Sequence, residues 1–309
     1  MGATQPRPHG GDGGRLAREL GIDPASVLDL SASLCPVAPD PVPVLRRHLG
    51  AIGRYPDPAP ATAALAEVMG VEPRHLLLTN GGAEAISLVA AALGGHVAEP
   101  EFSSYPRRGG PLWRSNPNNP LGTLAAPEAA AGVWDEAFWP LATGTWTRGD
   151  YREGAVVVGS LTKLLACPGL RLGYVLCADE ALMRRFAASQ PEWSVNGLAA
   201  EALADLLAVV DLAAWSRQTS ALRDRLASLL GSLGRSVRAG SGPWVLVEKA
   251  GALRAQLLGE GIVVRDCASF GLDDTVRIGL PRADDFPRLE KALRRHCLDS
   301  APGAGEART

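Results

Sequence analysis

Lys163 closes the segment Gly159-Ser160-Leu161-Thr162-Lys163, directly after the apolar run 155–158 and eight positions before Arg171. An ammonium group is costly at the end of an apolar strand, so such a lysine either escapes to solvent or has its pKa lowered until it serves as an amine nucleophile. The second outcome is what Schiff-base chemistry requires. Three other groups gain meaning beside it. Gly81-Gly82 follows the apolar stretch 75–79 and precedes a helical pattern, so backbone N–H groups at a helix start are open to a phosphate. Asn118-Asn119-Pro120 and Asp135-Glu136 supply an amide and a carboxylate at the ends of short strands. Carried on neighbouring strands, an amide, a carboxylate and a lysine would surround a flat polar ring. Its phosphate would meet the glycine turn, and Arg171 could clamp it with two parallel hydrogen bonds.

Composition narrows the partner. The 31 Lys+Arg against 33 Asp+Glu give no electrostatic case for nucleic acid or an anionic membrane, which leaves a small molecule. The five cysteines lack C-x-x-C spacing, so neither a disulfide framework nor a metal site is expected, and a reducing cytoplasm is the simpler setting. The N-terminus has no apolar core of signal-peptide type, and no apolar run reaches membrane-spanning length. The tail 299–309 is small, polar and glycine-containing, and is expected to be disordered.

The elements that must position these groups follow from hydrophobic period. Helices are predicted over 43–49, 61–69, 83–93, the long stretch 197–233 and 286–296, and strands over 75–79, 112–115, 132–134, 155–158, 173–177, 243–248, 262–265 and 276–279. Strand and helix alternate first, and a smaller α+β part follows. The expected fold class is α/β: a mostly parallel sheet sandwiched by helices over 37–212, and a second, smaller α+β domain from 1–36 and 213–298.

In this order the motifs resemble the fold-type I pyridoxal-phosphate enzymes of the aminotransferase class I/II superfamily. His9-Gly10-Gly11-Asp12, Arg54-Tyr55-Pro56-Asp57, Trp193-Ser194-Val195-Asn196 and Val264-Arg265-Asp266-Cys267-Ala268-Ser269-Phe270 narrow the likeness. They are similar to the L-threonine-O-3-phosphate decarboxylases of cobalamin biosynthesis, relatives of histidinol-phosphate aminotransferases. The resemblance implies pyridoxal 5'-phosphate as cofactor, a small amino-acid substrate and a homodimer. It implies that Lys163 holds the cofactor and moves protons at the substrate α-carbon, that Asp135 pairs with the pyridine nitrogen, and that Asn119 donates to the ring's phenolic oxygen. Phe102 matches the aromatic stacked on the ring. Gly82, Ala83, Ser160 and Arg171 match the phosphate site, and Tyr55 a tyrosine that reaches that phosphate from the other subunit. Arg277 matches the arginine for the substrate α-carboxylate, and His9 a histidine near the substrate's phosphate.

Departures from the family pattern bear on the reaction. Only 13 residues, 103–115, separate Phe102 from Asn116, where relatives carry another helix and strand, and 127–131 stands where a full helix normally runs. Phe138 replaces the tyrosine common in the aminotransferases, which favours decarboxylation over transamination. Ser33 and Cys35 stand where relatives carry asparagines near the substrate. The expected activity is decarboxylation of a threonine-phosphate-like substrate, with transamination of histidinol-phosphate or aromatic type as the alternative and a non-catalytic relative as the third possibility.

Overall fold

Six short strands build the sheet that carries the site. The computed structural model describes residues 10–298, so His9 and the tail 299–309 lie outside the described residues. A first strand, β1 (Leu28–Asp29), pairs with the C-terminal part of the chain. The next six are β2 (Leu76–Asn80), β3 (His96–Val97), β4 (Leu112–Ser115), β5 (Val133–Asp135), β6 (Val156–Ser160) and β7 (Leu172–Leu176). They form one sheet in the order β2-β7-β6-β5-β4-β3, with β3 to β6 parallel and β7 antiparallel to both of its neighbours.

The core lies on both faces of this sheet. Val156 and Val158 point to one side with Val133, Val175, Ile86 and Val89, whereas Val157 points to the other with Trp134, Tyr174, Leu65 and Leu203. That alternation explains why β6 is an uninterrupted β-branched run: a strand covered on both faces has no polar side. The helix Gly81–Leu93 follows β2 and buries Ala85, Ile86, Leu88 and Val89. It approaches β7 so closely that a Cβ on Gly173 would lie 2.4 Å from the carbonyl carbon of Gly81, which is why position 173 must be glycine.

The chain divides into two compact units. One comprises Leu34–Ser220 with Gly240–Pro243; the other takes the N-terminal segment through Ser33, Ala221–Ala239 and the chain from Trp244 onward. In the second unit, β8 (Val237–Ala239), β9 (Trp244–Val247), β11 (Arg265–Asp266) and β12 (Val276–Gly279) form an antiparallel sheet in the order β11-β12-β9-β8, while β10 (Ile262–Val263) pairs in parallel with β1. Its core gathers Leu226, Leu230, Val245, Val247, Ile278, Phe286 and Leu293.

Two sequence expectations are corrected. The helical stretch 197–233 is two helices, Gly197–Leu207 and Leu212–Ser232, because Asp211 starts a new helix: its carboxylate accepts the N–H of Ala214 at 2.9 Å and its carbonyl that of Trp215 at 2.8 Å. The strand expected over 262–265 is split, since Ile262 and Val263 pair with β1 while Arg265 and Asp266 pair with β12, and the change of partner falls at Val264. The shortened segments are also visible. No helix forms between β3 and β4 or between β4 and β5, so β3 is the outer strand of an abbreviated sheet.

Candidate active site

Strand register brings the predicted residues to one edge of the sheet. Ser115 pairs with Asp135, Asp135 with Val158, Ser160 with Gly173, and Asn80 with Leu172. The carboxyl ends of β2, β4, β5 and β6 therefore coincide with the amino end of β7, just after Arg171. The crevice beyond strand carboxyl ends is where open α/β sheets bind ligands.

At the β2–β7–β6 side, three segments converge on one helix start. Gly81 adopts φ +78°, and a Cβ there would lie 2.6 Å from Nη2 of Arg171. A Cβ on Gly82 would lie 3.2 Å from Cβ of Ser160. Arg171, exposed and itself left-handed at φ +56°, bonds the Pro168 carbonyl through Nη1 at 3.4 Å, a long contact for a guanidinium. Ser160 Oγ lies 2.7 Å from Thr162 Oγ1. A side-chain-free helix start with a hydroxyl and a guanidinium beside it is a cradle for a phosphate, and Ala83 is the next residue of that helix. Glu84 stabilises the turn from within: its carboxylate accepts the N–H of Asn80 at 2.7 Å, and Ser194 and Gln190 donate to it as well.

Further along the edge lie the groups suited to a ring. Asp135 accepts the Tyr105 hydroxyl at 2.7 Å on one oxygen and the Ala137 N–H at 2.9 Å on the other. Loss of hydration pushes its carboxyl above the usual range, against the Tyr105 bond, the Ala137 N–H and the positive charge of Lys163. Lys163 and Asp135 are thus electrostatic neighbours. Lys163 sits on the one-turn helix Leu161–Leu164 that follows β6, and its carbonyl accepts the N–H of Cys35 at 2.9 Å. Phe102 packs edge-on against Tyr105, ring centres 5.6 Å apart, and the N–H of Asn119 bonds Ser115 Oγ at 2.8 Å. Phe138 is buried.

Two other predicted residues have neighbours of their own. Tyr55 is 79% exposed and stacks at 4.6 Å on Trp193. Arg277 belongs to the second unit, where it is buried on β12, donates to the Ser31 carbonyl at 3.2 Å and lies over the Trp244 ring. Burial lowers its pKa to about 10, which still leaves a cation at neutral pH.

Three contributors escaped the sequence reading. Tyr105 orients Asp135, and its signal was its place three residues after Phe102. Glu101, 3% exposed, lies behind Ser115. Arg265 is buried directly opposite Arg277 on the adjacent strand. It lies inside a motif that resembles the decarboxylases, but nothing in the spacing shows that two strands place two arginines side by side.

This donor set fits pyridoxal phosphate: an anion cradle too tight for a Cβ, a carboxyl whose ionisation calls for a cationic partner, an amine and an aromatic. The profile of the family Aminotransferase class I and II matches residues 109–294. Threonine-phosphate decarboxylase of Salmonella typhimurium is 32% identical, over 95% of this chain and 98% of that protein. The chain belongs to the class I and II aminotransferase family. As a member of that family it is an enzyme that works with pyridoxal phosphate. Histidinol-phosphate aminotransferase 2 of Methylococcus capsulatus is 28% identical, over 91% of this chain and 93% of its own. Among solved folds of the family, histidinol-phosphate aminotransferase from Sinorhizobium meliloti in complex with pyridoxal-5'-phosphate aligns at TM-score 0.81 and 17% identity, over 97% of this chain and 96% of that one. L-threonine-O-3-phosphate decarboxylase from Porphyromonas gingivalis aligns at TM-score 0.74 and 24% identity, over 87% and 99%. The family, fold and cofactor expected from the motifs are borne out.

Proposed function

We propose that the protein decarboxylates a small phosphorylated amino acid of the L-threonine-O-3-phosphate type, as its 32%-identical relative is named for doing, and so serves cobalamin biosynthesis in the cytoplasm. No helix among the described residues is long and apolar enough to cross a membrane. The observation that carries the substrate class is the pair Arg265 and Arg277, two buried cations facing one another across β11 and β12. Asp12 and Asp266 act on Arg265 from nearby, and a bound anion would add to them in offsetting two like charges held out of water. A substrate with both a carboxylate and a phosphate satisfies two guanidinium groups, whereas histidinol phosphate has only the phosphate.

In this reading Arg277 binds the α-carboxylate and Arg265 the phosphate. Gly82, Ala83, Ser160 and Arg171 hold the cofactor phosphate, Phe102 covers the ring, and Asn119 donates to its phenolic oxygen. Phe138 has no hydroxyl to share that task. Asp135, oriented by Tyr105, keeps the ring nitrogen protonated. Bound there, pyridoxal phosphate supplies the electron sink for the bond broken at the substrate α-carbon. Lys163 would hold the cofactor and donate to the α-carbon the proton that replaces the carboxylate lost as carbon dioxide.

Incubation with O-phospho-L-threonine should release carbon dioxide and aminopropanol phosphate. A protein that instead makes glutamate from 2-oxoglutarate with histidinol phosphate as amino donor would be an aminotransferase, and the decarboxylase reading would be lost.

The homodimer rests on a surface. Leu49 (51% exposed), Ile52 (70%), Tyr55 (79%) and Trp193 (56%) crowd around the turn Leu49–Gly53, which the helix Gly197–Leu207 supports. So much exposed apolar and aromatic surface supports an interface with a second copy. A second copy would cover it and bring Tyr55 to the neighbouring phosphate site. Sedimentation should give twice the chain mass, and Ile52→Asp should shift it toward the monomer; a monomeric wild type would remove Tyr55 from the site.

A further inference from the structure

Behind the residues assigned to the ring lies a second acid that none of those roles uses. Glu101 is 3% exposed, immediately before Phe102. Its carboxylate accepts the Ser115 N–H at 3.1 Å and also the Ser115 hydroxyl. With its proton committed to Glu101, the Ser115 oxygen turns its lone pairs outward, and it accepts the N–H of Asn119 at 2.8 Å. Glu101, Ser115 and Asn119 are therefore links of one chain of hydrogen bonds, on the same sheet edge as Asp135.

The charges around Glu101 are few. Asp135 and the Tyr105 phenol lie nearby, and both carboxylates push that phenol upward. Glu99 accepts the backbone N–H of Glu101 at 2.8 Å and is itself paired with Arg107 at 3.1 Å. Arg114 lines the same cleft of about 220 Å³ with Glu99, Ser115 and Asn118. Among the described residues Glu101 has no salt bridge, so its ionised form rests on the bonds from Ser115, with a smaller contribution from the Asn118 side chain.

We propose that Glu101 is a positioning residue, which acts through the Ser115 hydroxyl to fix Asn119 for its bond to the cofactor ring. The inference rests on the role proposed for Asn119. Burial, helped by the charge of Asp135 and opposed by the bonds from Ser115 and the Asn118 side chain, pushes the Glu101 carboxyl up to about 7. Its charge therefore changes across neutral pH. Protonated, Glu101 is the weaker acceptor, Ser115 is held less firmly, and the Asn119 link loosens.

Hydrogen exchange at the Asn119 amide in cofactor-free protein reads this link with no appeal to the cofactor. Glu101→Gln and Ser115→Ala should each speed that exchange about three- to tenfold. In wild type, after correction for intrinsic exchange, protection should fall as pH drops from 8 to 6. In the holoenzyme loaded with pyridoxal phosphate, both variants should move the pH midpoint of the visible cofactor band in the same direction. Unchanged Asn119 exchange in both variants overturns the proposal, and so does faster exchange with an unmoved midpoint. Wild-type protein that takes up no cofactor would strike the reading of Asn119 instead, while the exchange measurement still decides whether Glu101 holds it.

Discussion

Lys163→Ala should lower turnover at least about 10³-fold and abolish the visible absorbance of bound cofactor, yet leave the protein folded. The backbone of this residue is held independently of its amine, by the one-turn helix Leu161–Leu164 and by the Cys35 N–H that meets its carbonyl. Truncation to alanine keeps those bonds and suits the helix. On the proposed reading it removes both the amine that engages the cofactor and the group that moves protons at the substrate. It also removes the positive charge that holds the Asp135 carboxyl down, so that carboxyl should rise further in the variant. Titration with pyridoxal phosphate followed by absorbance, alongside carbon dioxide release, tests this directly. A variant that turns over at the wild-type rate would exclude Lys163 from the chemistry.

Asp135→Asn should reduce turnover about 10²- to 10³-fold, roughly 3–4 kcal/mol of barrier, because an amide cannot keep a proton on the ring nitrogen. Stability should move the other way. A carboxyl whose folded pKa is raised contributes stability that is fully present below its unfolded pKa and lost as pH rises through the folded value. Asp135 is such a group, raised mainly by loss of hydration. At pH 7.5 the cofactor-free variant should therefore melt no lower than wild type, and its advantage should shrink toward pH 4. Asparagine can keep its oxygen on the Ala137 N–H and donate its amide to the Tyr105 oxygen, so the local geometry survives. Melting curves at the two pH values, set beside steady-state rates, separate the functional loss from a structural one; turnover within tenfold of wild type would refute the assignment.

Legibility in the sequence followed the range of the forces involved. The run 155–158 announced β6, because a strand buried on both faces leaves a continuous apolar record. Gly81-Gly82 announced a helix start because glycine is what a left-handed turn and a close approach demand. Asp135 and Lys163 were visible as ionisable groups set in apolar segments. Tyr105 was not, since a buried tyrosine reads as ordinary core until a carboxylate is placed 2.7 Å from its hydroxyl. Glu101 and Arg265 were hidden for the same reason: each depends on a residue of another strand, Ser115 or Arg277, and register across strands leaves no periodic trace. The long helical stretch failed at Asp211, where one capping carboxylate outweighed a helical hydrophobic pattern.

The reversed direction of β7 has a consequence for how the chain reaches its native state. Strands β6 and β7 are joined by a short connection and can pair early, which sets Ser160 beside Gly173. Pairing of β7 with β2, which brings Gly81 and Gly82 to Arg171, must close a loop of some ninety residues and comes late. The phosphate cradle is thus completed by the longest-range pairing of its sheet. A cofactor that binds only the finished cradle draws that step forward by mass action, by about 2.7 kcal/mol at a hundred times its dissociation constant. Added pyridoxal phosphate should then raise the share of newly made chain that reaches its folded form.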